Sequence, residues 1–193
     1  MSLKSFQPRT TALILMILVA AAFRLVQSSN VFSILSNVTP VGAIALFGGC
    51  YFKERWKAFL VPLLTLALSD LLLNRLLYFD HWTFYYSGVI WIYGSFALMV
   101  IIGQFIKKVT VLQVAVAGII AAITHYVISD FGVWVTGSLY TLDMSGFLQC
   151  YYMALPFLRN MLVGNLVFCA VLFGAFEWMQ VKFPVLRLKT SIS

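Results

Sequence analysis

The sequence predicts an all-α, polytopic membrane protein: six transmembrane helices in one bundle, with both termini on the inner side. Three observations carry this. The 193 residues are 62% hydrophobic and only 10% charged, against about a quarter charged in a soluble domain, and the mean hydropathy is +0.97. Six apolar stretches fill most of the chain. Ten of the thirteen Lys and Arg residues (Lys4, Arg9, Lys53, Arg55, Lys57, Lys107, Lys108, Lys182, Arg187, Lys189) lie in alternate gaps between those stretches, the asymmetry expected when cytoplasmic loops retain the positive charge. The other gaps carry Asp80, His81 and Asp143. The formal net charge of +7 is therefore mostly a topology signal and no footprint of nucleic acid. A single integral membrane domain, 1–193, is expected in an inner (cytoplasmic) membrane, with the lipid bilayer as its surroundings.

The elements follow in order. Helix one spans 10–26. Lys4, Arg9, the apolar run 12–23 and Ala20, Ala21, Ala22 imitate a secretory signal, but the run is read as the first span. The uncharged Ser/Asn-rich segment 27–40 reads as an external loop roofing the bundle. Thr39-Pro40 opens helix two, 41–52, since Thr can cap and Pro suits the first turn. That helix is far below the ~20 residues of a full span, yet Lys53, Arg55 and Lys57 must return inside. Helix three, 58–77, places Asp70 and Asn74 one turn apart on one face. The outer loop 78–86 reads YFDHWTFYY, six aromatics in nine residues. Helix four, 87–106, carries Ser87, Trp91 and Ser95 on one face. Helix five, 109–135, has a stripe of Gly118, Ala122, His125 and Ser129. The stretch 136–156 is external, with a short interfacial helix around 147–155, and helix six runs 159–179.

An ionisable side chain inside a span costs about 2.5–3.5 kcal/mol, so it faces an interior and a partner. Arg24, Asp70, Arg75, Asp130 and Arg159 all fall in the outer half or at the outer edge. Asp70, with Arg24 and Arg159 at similar depth, reads either as a ligand-binding carboxylate or as a salt bridge holding helices one, three and six together. Arg159 and Asn160, just after Pro156, are candidate ligand contacts. His125 is a candidate ligand contact or an interhelical hydrogen-bonding residue, and the Gly/Ala stripe suits close helix packing. Asp130 is expected to be interfacial. The aromatic loop is a headgroup-level belt or a lid over a flat ligand, with Trp82, Tyr85 and Tyr86 as walls beside Asn74.

Some chemistries are excluded. GxxxxGK[ST] is absent, so the chain does not itself cradle ATP phosphates, and any active uptake draws energy from another subunit or a gradient. HExxH, GxSxG and enzyme-like paired carboxylates are also absent. Cys50, Cys150 and Cys169 have no metal-ligand spacing, and Cys50 and Cys169 are expected to be inert packing residues.

The hairpin TPVGAIALFGGCYFKERWKAFLVPLLTLALSDLLL, residues 39–73, resembles that of energy-coupling-factor (ECF) S-components, small six-helix membrane proteins that bind vitamins and metals. The likeness rests on the Thr-Pro-Val-Gly opening, the Gly-Gly end, the basic inner turn and Ser69-Asp70. Within that group it resembles the solitary, cobalamin-specific BtuM-type proteins, through Ser69-Asp70, Tyr85-Tyr86 and Arg159. A related uncharacterised bacterial membrane family with the same opening is an equal resemblance. The BtuM-type cobalt-binding cysteine has no counterpart between Asp70 and Tyr86. His81 stands in that region and is the candidate axial cobalt ligand. Small residues for docking a coupling subunit with its ATPases appear as Ala12 and Ala20–Ala22, without a clean AxxxA.

Together these expectations describe a binding protein for uptake of a vitamin-like molecule from the outer side, with cobalamin a candidate substrate and no intrinsic cofactor. The pocket would lie among helices one, three, five and six. The rivals are a membrane-embedded enzyme using Asp70, His125 or His81 as acid or base, and a non-catalytic structural subunit whose buried charges only fix helix packing.

Overall fold

The computed structural model describes residues 7–28, 38–79, 81–137 and 139–188. Most of the expected roofing loop, and Lys4, Asp80 and Lys189, lie outside the described residues. Among the described residues six α-helices follow one another: α1 (Pro8–Ser28), α2 (Val41–Tyr51), α3 (Arg55–Leu73), α4 (Val89–Gln104), α5 (Val111–Thr136) and α6 (Met144–Lys182). A π-helical turn, Asn74–Tyr78, prolongs α3, and a 3-10 turn, Pro184–Leu186, follows α6.

Four of these helices contain segments long and apolar enough to cross a membrane: Pro8–Leu25, Arg55–Leu77, Val111–Thr136 and Met144–Lys182. Their outward faces are apolar. On α3, Leu60, Leu64, Leu68 and Leu72 are all exposed and recur every fourth residue, forming a stripe that only lipid would leave uncharged. The two shorter apolar helices differ from each other. α4 has 16 residues, or ~24 Å at 1.5 Å per residue. α2 has 11, or ~16 Å.

α2 is the axis of the bundle. It packs on all five other helices, and ten of its residues are buried, as suits a helix apolar on every side. Phe47 and Tyr51 pack against Phe173 and Phe176 of α6, three of the four ring pairs edge-on and Tyr51–Phe173 tilted, with ring centroids 4.6–5.7 Å apart. Glycine sets the α2–α4 crossing. A Cβ on Gly103 would strike the Leu46 carbonyl, and one on Gly49 would strike that of Val100. Both backbones therefore touch where any larger residue would part them.

The ends of the elements follow local rules. The Thr110 hydroxyl caps α5 by accepting from Gln113 N at 3.2 Å, and Asp143 caps α6 by accepting from Gly146 N at 2.7 Å. Gly88 turns the chain into α4 at φ +83°, a left-handed conformation that costs glycine little. At α2 the expected Thr cap gives way: Pro40 takes the N-cap position, without a side-chain hydrogen bond.

The largest departure from expectation is α6. Residues 144–158 are not a separate interfacial segment but the start of one continuous helix of 39 residues. Pro156 sits inside it, as Pro62 sits inside α3. A proline removes one backbone donor without ending a helix whose neighbours support it. At ~58 Å, α6 exceeds the ~30 Å hydrocarbon core.

Candidate functional site

At the end of the bundle opposite Lys53 and Lys107, α1, α3, α4 and the 79–88 connection converge on one carboxylate. The Arg24 guanidinium of α1 donates to Asp70 Oδ1 at 2.6 Å, and its other terminal nitrogen donates to Ser69 Oγ. Ser69 in turn donates to Leu66 O at 2.8 Å. The second carboxylate oxygen, Asp70 Oδ2, accepts from Tyr93 of α4 at 3.0 Å and from Tyr86 of the loop at 3.3 Å. Side-chain exposure is 16% for Arg24 and 8% for Asp70, so both charges are largely withdrawn from solvent and neutralise each other. Burial, followed by the neighbouring carboxylate, pushes the Tyr86 hydroxyl well above the ordinary tyrosine range. It stays a neutral donor at physiological pH.

Asn74, one turn on, is buried, and its amide donates to Thr83 O at 3.1 Å. The Thr83 hydroxyl donates to Tyr85 O at 3.0 Å. These bonds, with Tyr86–Asp70, tie the aromatic loop to the top of α3. The π-helical turn lies where that tie is made. Such turns re-aim side chains by inserting one residue into a helical turn and frequently mark functional positions.

The expected residues thus divide. Arg24, Asp70 and Tyr86 meet, with Asn74 beside them. Trp82 and Tyr85 are exposed, at 60% and 76%, and do not wall the carboxylate. His81 is exposed, its ring 5.9 Å from that of Phe79. Among the described residues no group of three His, Cys, Asp or Glu side chains is placed to hold a metal ion. His125 lies elsewhere, between α4 and α5. Its Nδ1 is 2.7 Å from Ser95 Oγ, and its ring is 5.0 Å from Phe96. Arg159 is exposed on α6 and Asn160 is partly buried there. Among the described residues Arg159 does not join the Asp70 cluster, and the expected pairing of Arg159 with Asp70 gives way to pairing with Tyr93 of α4. Tyr93 and Ser69 complete the cluster. The signal for Tyr93 was present in the sequence: a phenol within an apolar helix needs a partner.

Asp130 lies near an aromatic run, with Trp91–Phe131, Phe131–Trp134, Trp134–Phe147 and Phe147–Tyr151 centroids 4.5–5.7 Å apart. At the opposite end Arg9 donates to Gln180 Oε1 at 2.9 Å and Leu186 O at 2.7 Å, while the Tyr51 hydroxyl donates to Glu177 at 2.5 Å. This second polar cluster binds α1, α2 and the end of α6 together. Cys50, Cys150 and Cys169 are free and unlinked.

Apolar outer faces, a buried central helix and paired interior charges define an integral membrane protein of helical-bundle type. Its sequence matches a family of unknown function, DUF6580, over residues 4–186, and the chain belongs to that family. Comparison with curated proteins and with solved structures finds no match.

Proposed function

We propose that this protein binds a small organic molecule at the membrane's outer side, at the Arg24–Asp70–Tyr86–Tyr93 cluster, as a six-span protein of a bacterial inner membrane with both termini inside. The observation that carries the reading is the unequal grip on Asp70. Arg24 and Tyr93 hold it at 2.6 and 3.0 Å from helices, whereas Tyr86 holds it at 3.3 Å from a loop. A ligand hydroxyl or amide can replace the Tyr86 bond while the carboxylate stays paired with Arg24, so binding leaves no buried charge exposed. The exposed aromatics Trp82, Phe84 and Tyr85 of the same loop then close on the ligand. Apolar walls with a few placed polar groups are the usual design of an organic-ligand site.

The narrower form of the proposal is an ECF S-component-like role in vitamin uptake, with energy supplied by a coupling subunit and its ATPases. Cobalamin is the version in which His81 would supply an axial nitrogen. Thermal unfolding of the purified protein against a vitamin panel that includes cobalamin tests the reading. A ligand at 100 times its dissociation constant adds about 2.7 kcal/mol, and Tyr86→Phe and Asp70→Asn should reduce that gain. A flat response across the panel refutes it.

One observation favours a second reading. Each oxygen of Asp70 already has a partner, which also suits a structural clamp joining α1, α3 and α4. An enzyme using Asp70 with His125 is less well supported, because their hydrogen bonds belong to separate groups.

A further inference from the structure

Asp130 is a carboxylate in a membrane-spanning helix to which the described residues give no partner. It is partly buried on α5, and among the described residues no hydrogen bond or ion pair reaches its side chain. The donors around it are turned elsewhere. Cys150 Sγ donates to the backbone oxygen of Asp130 at 3.5 Å, the Tyr126 hydroxyl to Tyr151 O at 2.7 Å, and the Tyr151 hydroxyl to Val127 O at 2.6 Å. Nor is a basic side chain at hand in the sequence: between Lys108 and Arg159 there is no Lys or Arg. A carboxylate inside a span is costly without a partner, and such residues mark functional positions.

Aromatic rings frame this carboxylate. Tyr126, Asp130 and Trp134 follow at intervals of four and share one face of α5, and Phe147 and Tyr151 are spaced likewise on α6. The two rows meet in pairs: Trp134–Phe147 and Tyr126–Tyr151, each with centroids 5.3 Å apart. Phe147 and Tyr151 close the α6 side at 4.5 Å. Asp130 therefore stands on α5 between one ring pair and the next, close enough for its charge to act on Tyr126, Cys150 and Tyr151. Asp130 and the four rings are each only partly buried, so the frame is open at the protein surface. Its Trp134–Phe147 end borders an open cavity of about 390 Å³, whose lining adds Leu142, Asp143 and Met144.

We propose that this frame binds a protonated organic amine, its N–H groups donating to Asp130 and its carbons lying across Trp134 and Phe147 toward the cavity. Charge sets the sign. Asp130 and Asp143 stand here with no basic residue between Lys108 and Arg159, in a chain whose net charge is +7. Ring faces attract a cation, most strongly where water is excluded. Hydrogen bonding sets the kind of cation. The carboxylate accepts from no described N–H or O–H, and an ammonium with N–H groups supplies charge-assisted bonds that a quaternary ammonium lacks. Such an ammonium reaches a membrane protein from two sources, a free amine or the ethanolamine headgroup of a lipid, and the chemistry recognised is the same. The site is built by α5 and α6, apart from the Asp70 cluster of α1, α3 and α4, and does not rest on the function proposed for that cluster.

The test uses detergent-purified full-length protein in an amine-free buffer and three probes: phenethylamine, its N-trimethylated analogue and 2-phenylethanol. Phenethylamine should raise Tm by ~2–4 °C at saturation, the quaternary analogue clearly less, and the alcohol not at all. Asp130→Asn, similar in shape, should abolish the shift while holding or raising the unliganded Tm, because it removes an unpaired charge. Tyr86→Phe should leave the shift intact, which separates this site from the Asp70 cluster. A second arm identifies the source: native mass spectrometry after exchange into equal amounts of phosphatidylethanolamine and phosphatidylglycerol. Selective retention of phosphatidylethanolamine, lost in Asp130→Asn, assigns the lipid headgroup. A phenethylamine shift without that selectivity assigns a free amine. An equal shift with 2-phenylethanol or with the quaternary analogue overturns the proposal. So does a shift or lipid preference that survives Asp130→Asn, and so does the absence of both.

Discussion

Removing the charge of Asp70 by Asp70→Asn should destabilise the bundle by about 3 kcal/mol. Cutting one partner from a buried ion pair costs about 3–5 kcal/mol, mainly because the other charge stays buried alone. Arg24 retains 16% exposure and a bond to Ser69, which moves the expectation to the lower end. The Tyr93 and Tyr86 bonds to Oδ2 weaken from charge-assisted to neutral, and so add to the loss without doubling it. Arg24→Met should cost a similar amount, because it strands the carboxylate. The double variant Arg24→Met/Asp70→Leu should recover most of the loss, since neither charge then needs a partner. Reversible unfolding in mixed detergent micelles, followed by far-UV circular dichroism, gives the three values and their coupling. A coupling of about 2 kcal/mol or more would confirm that the pair holds α1 to α3. Strict additivity within about 0.5 kcal/mol would refute it, and with it the premise that a ligand must respect a standing ion pair.

Gly103→Ala should destabilise by about 1–3 kcal/mol through overpacking, as its Cβ meets the Leu46 carbonyl, whereas Gly94→Ala, with nothing within 4 Å, should be neutral or slightly stabilising in the same unfolding assay. The Asp143 carboxyl is held below its ordinary value of 3.8 by the Gly146 amide, then by the Thr141 hydroxyl. A depressed folded pKa means that the cap is fully formed above the ordinary value and is lost as pH falls through the lower folded one. The Gly146 amide resonance should therefore titrate with a midpoint below 3.8, and Asp143→Asn should remove that titration. In a cysteine-free background, membrane-impermeant thiol reagents added outside should label Asp143→Cys and not Lys108→Cys; labelling of both from one side would sink the proposed orientation.

The helical class and the membrane setting were legible because apolar content and charge alternation are properties of composition and order. The bounds of α2, expected at 41–52 and found at Val41–Tyr51, were readable because Pro40 and Lys53 mark them with local chemistry. Asp70 was readable as a residue needing a partner, since a lone carboxylate in an apolar helix is costly wherever it lies. Its partner was only half readable. Arg24 was on the short list, but depth along a span does not say which helices adjoin, and Arg159 matched the depth as well as Arg24 did. Pro156 misled the reading of α6, because proline ends helices in water far more readily than among supporting neighbours.

The sequence by itself determined the helices, their apolar character and the set of polar side chains that had to be neutralised. Only the tertiary structure decided the pairing. Tyr93 and Tyr86 reach the carboxylate because α4 lies against α3, and Asn165 faces Gly42 because the short α2 sits at the axis. Residues far apart in the chain become neighbours through helix packing, and that packing is set by the shape of every contact at once, which no single stretch of sequence contains.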